Sequence, residues 1–147
     1  MKTTSSVLFV LGFTMLAAAV SSARAQQPAP QSVLGGVFTA EQAKRGEKVY
    51  TDACAVCHGP KLTGTDAGGP TLLGPDFING WKDMSLGALL NKIAMDMPSN
   101  APGTLTPEEY ADSLAYVLSV NKYPAGQTEM PKEAEALRPI RMAAAPR

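Results

Sequence analysis

Apolar positions recur along this chain with a helical period in three places, and nowhere with the period of two that a half-buried strand requires. The first segment opens at Thr39, whose hydroxyl suits a helix N-cap, with Gln42 at the reciprocal position of a capping box. Ala43, Gly46, Val49 and Tyr50 then fall along one face, and the helix runs into Cys54. In the second, Leu86, Leu89, Leu90 and Ile93 form an i, i+3, i+4, i+7 stripe. It ends before Met97-Pro98, because proline disfavours helical backbone in the residue preceding it. The third has the strongest start: Thr106 as cap, Pro107 at the first helical position and Glu109 as capping-box partner. Tyr110, Leu114, Val117 and Leu118 are its apolar stripe, and Pro124 and Gly126 stop it.

The segments between are of different character. Residues 59–80 are dense in Gly and Pro and read as loop, of a length that is normally wrapped around something. Residues 26–38 (QQPAPQSVLGGVF) read as a flexible lead-in. Residues 124–147, with Pro124, Pro131, Pro139 and Pro146, read as an extended tail, clasped to the surface through Leu137 and Ile140. The expected domain is therefore residues 39–123. It is all-α, with three to four short helices and too few large apolar side chains to make a sufficient core alone. Something else is expected to fill its centre.

The N-terminus changes the picture of compartment. Met1-Lys2, the apolar run Val7 to Val20 and the small-x-small triplet Ala23-Arg24-Ala25 predict a signal peptide over residues 1–25. The run is shorter than the roughly 20 residues of a transmembrane helix, and no later segment spans a bilayer. The mature chain is thus expected in the periplasm, starting at Gln26. Loss of Lys2 and Arg24 would leave 11 basic against 13 acidic residues, a net charge of −2. That balance argues against nucleic acid or anionic lipid as partner.

Candidate chemistry is concentrated in CAVCHGP, residues 54–60, which holds both cysteines and the only histidine. A thioredoxin-like dithiol needs a strand–helix scaffold that the pattern lacks. Zinc needs four ligands, and there is no third cysteine or second histidine. A disulfide across two intervening residues closes a tiny, often strained loop. The pattern C-x-x-C-H as a c-type haem attachment uses every residue: two thiols for the two vinyl groups of haem, and His58 for the iron.

With those residues in view, the chain resembles a class I c-type cytochrome over residues 38–123: a helix, CAVCH, a Gly/Pro loop, GPTLLG, a Trp, a Met-Pro loop and an aromatic last helix. Residues 90–126 are most similar to the small cytochromes c that serve periplasmic quinoprotein (PQQ) alcohol dehydrogenases. The resemblance implies the cytochrome c fold around one covalently attached haem c, anchored by Cys54 and Cys57. With a single histidine, bis-histidine ligation is excluded by counting; the distal ligand is a methionine, something weaker such as lysine, or an open position. The resemblance implies Met97, with Met95 as its rival and Met84 more distant. It also implies the Pro70 carbonyl as acceptor from the His58 ring, and Trp81 as hydrogen-bond partner of a haem propionate. Pro70 as a plain loop stiffener and Trp81 as a core residue are the alternatives. Gly46 and Tyr50 are expected to meet the last helix near Leu114 and Tyr116.

The function so implied is an electron carrier, not an enzyme. It would accept electrons from a periplasmic dehydrogenase and pass them to a terminal oxidase or another cytochrome. The alternatives are a haem-bearing subunit of a dehydrogenase complex, with the tail as docking strap, and a five-coordinate haem that binds a small ligand.

Overall fold

Capping threonines set the two longest helices. Thr39 accepts the Gln42 amide at 3.1 Å and starts α1 (Ala40–Ala53); Thr106 and Glu109 close a complete capping box at the start of α5 (Pro107–Val120). The computed structural model describes residues 32–66 and 68–144, so the expected signal peptide lies outside the described residues. Between α1 and α5 come α2 (Ala55–His58), α3 (Gly74–Trp81) and α4 (Leu86–Asp96), with 3₁₀ turns at Val33–Gly35 and Ala134–Leu137. Among the described residues there is no strand, only isolated bridges from Arg141 to Ser32 and Ser85. None of these helices is long and apolar enough to cross a membrane. The all-α expectation holds.

α1 and α5 form the central pair, and Gly46 permits their approach. A Cβ at Gly46 would lie 1.8 Å from the Asp112 carbonyl oxygen, so no side chain fits there. Near the same crossing the Tyr50 and Tyr116 rings pack with centroids 5.3 Å apart, tilted by 49°. Arg45 reinforces the junction, holding Asp112 of α5 at 2.9 and 3.0 Å and Glu129 of the tail at 2.8 and 3.0 Å. The hydrogen bonds from Arg45 hold the Glu129 carboxyl below its ordinary range.

Three elements differ from the sequence expectation. First, residues 74–81 are helix, not loop. Pro75 is tolerated in the first turn, where its missing N–H costs nothing, and Phe77 and Ile78 bury against the core. Tertiary burial, rather than propensity, holds this Gly-rich segment in a helix. Second, Gln42 does not complete a capping box. It is buried, and a buried amide must find partners. The Met130 backbone supplies both: Gln42 Nε2 donates to its carbonyl at 3.1 Å, and its N–H donates to Gln42 Oε1 at 2.7 Å. Third, residues 32–38, expected as part of a flexible lead-in, are packed. Val33, Val37 and Phe38 are buried, and the lead-in is tied to the chain's far end by Val33 N to Arg141 O at 3.0 Å and Gly126 N to Phe38 O at 2.6 Å.

The tail goes well beyond a surface clasp. Met130, Leu137, Ile140 and Met142 are all buried, the last three joining α4 and the lead-in to the core. Backbone bonds from Leu86 N to Ile140 O (2.8 Å) and from Met142 N to Met84 O (2.9 Å) stitch it to the start of α4. Lys132 pairs with Glu108 on α5.

Candidate functional site

The cysteines and histidine are gathered by one short turn of helix. The Cys54 amide closes α1 onto Tyr50 O at 2.8 Å, and the His58 amide returns to Cys54 O at 3.0 Å. Cys54, Cys57 and His58 therefore stand at i, i+3 and i+4, a spacing that puts side chains on one helix face. Tyr50 anchors this turn from below, its hydroxyl donating to Gly59 O at 2.6 Å. The two cysteines are not joined to each other and are half-buried. Burial, and then Cys57 beside it, push the Cys54 thiol up to about 11. A redox dithiol needs the opposite, a lowered value that supplies thiolate.

The Gly/Pro loop folds back over the histidine. Gly69 passes so close to α2 that a Cβ there would lie 2.2 Å from the Cys57 carbonyl oxygen. That approach brings the carbonyl oxygen of the next residue, Pro70, to 2.8 Å from His58 Nδ1. Thr65 donates to Cys57 O at 2.6 Å, fixing the turn from the side. At the loop's far end Asn121, just past α5, donates to Leu72 O and accepts from Gly74 N, both at 2.8 Å. No sequence signal marked Thr65 or Asn121, because an isolated polar residue carries no periodicity; the Gly-rich composition alone pointed to Gly69.

All three motif residues line one cavity of about 370 Å³, within the roughly 300–1,000 Å³ of small-molecule and cofactor sites. Leu72, Phe77, Leu89 and Ile93 line it too, as do Pro70, Trp81 and Met97. Leu73, the neighbour of Leu72, packs on the core and does not line the cavity. Met95 stands outside: it is 66% exposed, and its sulfur accepts from Asn91 at 3.4 Å. Met84 is also exposed, whereas Met130 and Met142 are buried in the core away from the cavity. Lys92, which sequence reasoning did not single out, is the one lysine or arginine in the lining among the described residues; it pairs with Asp96 at 2.5 Å.

The donor set suits a haem. Two cysteines and an imidazole line the cavity together, the imidazole is held through Nδ1, and the remaining lining is mainly apolar with Met97 among it.

Comparison with known proteins agrees. The family described as cytochrome C oxidase, cbb3-type, subunit III matches residues 41–117, more than half of the chain. No curated protein matches. Among solved structures, the sulfane dehydrogenase SoxCD from Paracoccus pantotrophus is similar, at 21% identity and a TM-score of 0.49. The match covers 74% of this chain and 53% of that one, so the chain spans about half the length of the structure it resembles. The chain belongs to the cytochrome c oxidase, cbb3-type, subunit III family, and is a class I c-type cytochrome that carries covalently attached haem c at the C-x-x-C-H motif of Cys54, Cys57 and His58.

Proposed function

We propose that this cytochrome is a periplasmic mono-haem electron carrier whose iron is held by His58 and Met97. The observation that carries the reading is the shared cavity: His58 and Met97 both line it, and the rival Met95 does not. Bound haem supplies one-electron exchange between ferric and ferrous iron. With its proton on Nδ1 and donated to Pro70 O, the His58 ring is fixed and presents Nε2 as a lone pair. The Met97 thioether favours the reduced state, and the apolar lining disfavours the extra charge of the oxidised one. Trp81 lines the cavity, and its indole N–H would serve a haem propionate. With His58 and Met97 both holding the iron, no coordination position would stay free, which suits electron transfer over ligand binding.

In this reading residues 1–25 are removed on export, residues 39–123 form the cytochrome domain, and residues 124–147 are its C-terminal tail. The donor is a periplasmic dehydrogenase, of quinoprotein or similar type, and the acceptor an oxidase or another cytochrome. The likeness of residues 90–126 to cytochromes of quinoprotein dehydrogenases supports the donor. The family's own description names an oxidase subunit, which favours a second reading: a haem subunit held permanently in a larger redox complex.

Carbon monoxide added to the ferrous protein tests the six-coordinate carrier. Little or no binding without denaturant is expected; rapid stoichiometric binding would establish an open axial position instead. Met97→Ala is expected to abolish the near-infrared sulfur-to-iron band of the ferric protein, and an intact band would move the ligand to Met95.

A further inference from the structure

The tyrosine one turn into α5 has a function that neither its apolar stripe nor its helix explains. Tyr110 is 4% exposed, and a buried phenol needs a partner for its hydroxyl. That hydroxyl donates to the backbone carbonyl of Met97 at 2.8 Å. On the other side of the same residue, the Met97 N–H donates to Ile93 O at 3.0 Å, the last bond of α4. Pro98 follows, so the next peptide carries no N–H to hold the loop. Met97 is thus pinned at both backbone ends, to α4 by its amide and to α5 by Tyr110. Tyr110 belongs to the same core cluster as Leu90, against which Ala94, Leu105 and the tail residue Ala134 pack. Its position on α5 is set by the Thr106–Glu109 capping box one turn earlier.

We infer that Tyr110 is a positioning residue for the distal ligand: its hydroxyl holds the Met97 backbone where the thioether faces the cavity. The inference rests on Met97 being that ligand. Its consequence is an opening equilibrium. Movement of Met97 away from the cavity would leave the iron open to an added ligand, and the hydrogen bond from Tyr110 opposes that movement.

The test is titration of the ferric holoprotein with imidazole, following loss of the sulfur-to-iron band, for the wild type and for Tyr110→Phe. Phenylalanine keeps the ring and its packing, so only the hydroxyl is removed. The apparent dissociation constant for imidazole is expected to fall about tenfold, equivalent to about 1.4 kcal/mol and within the range of one intramolecular hydrogen bond. Tyr123→Phe is the control, because it too loses a hydroxyl bonded to a backbone carbonyl, that of Ala143 at 2.5 Å, away from Met97. An unchanged constant in Tyr110→Phe, or an equal fall in both variants, overturns the inference while leaving the ligand assignment standing. A band that survives Met97→Ala overturns both together.

Discussion

Deletion of residues 127–147 is expected to abolish cooperative folding rather than merely uncouple the protein from a partner. The deletion removes Met130, Leu137, Ile140 and Met142, whose exposures range from 0 to 5%. Fully burying one such side chain stabilises by about 1.5–3 kcal/mol. Four of them together rival the roughly 5–15 kcal/mol by which a whole domain is stable. The deletion also strands the Gln42 amide, buried with both its partners on Met130, and uncovers the start of α4, where the Leu86 N–H loses Ile140 O. Urea unfolding followed by far-ultraviolet circular dichroism checks this: no cooperative transition is expected for the shortened chain. A midpoint near that of the full chain would return the tail to the status of a surface strap.

The second large effect is expected at the crossing of α1 and α5. Gly46→Ala should destabilise by about 3 kcal/mol, the upper end of what overpacking usually costs. The obstacle is backbone, the Asp112 carbonyl oxygen 1.8 Å from the new methyl, so no side-chain rotation relieves it. The helices must move apart, disturbing the Tyr50–Tyr116 contact and the Arg45–Asp112 pair. Because Tyr50 also bonds Gly59 O, the strain reaches the turn that carries the cysteines. Gly80→Ala in α3 is the internal comparison: nothing lies within 4 Å of its Cβ, and alanine there should be neutral or stabilising by about 0.5–1 kcal/mol. Chemical denaturation of the two variants checks the contrast, and equal midpoints would mean that α1 and α5 do not cross this tightly.

What was legible in the sequence, and what was not, follows from how each feature is encoded. The capping box at Thr106, the Leu86–Ile93 stripe and the haem-attachment motif are local patterns, and each appears in the structure where the residues predicted it. The helix at Gly74–Trp81 was hidden because Gly74, Pro75 and Gly80 are weak helix formers, and only the burial of Phe77 and Ile78 outweighs them. Gln42 was misread because its partner, Met130, lies 88 residues away. Asn121 escaped notice for the same reason, since its bonds to Leu72 and Gly74 run between segments far apart in sequence. Tyr110 was read only as part of an apolar stripe, which does not report where its hydroxyl goes.

The two methionines near residue 97 illustrate the limit most clearly. They are two residues apart and chemically identical. What separates them is the end of α4: Met95 is still helical and faces outward, while Met97 is its C-cap in extended backbone, at φ −123° and ψ 148°. A change of backbone region at one residue redirects a side chain, and the apolar stripe cannot report it. The stripe could say only that the helix stops before Pro98.

The most direct measurement is the intact mass of the holoprotein before and after extraction with acidified organic solvent. The polypeptide is expected to carry the mass of exactly one haem in both states, with no thiol left to alkylate at Cys54 or Cys57. Haem that passes into the solvent, leaving two alkylatable cysteines behind, would contradict the account at its foundation.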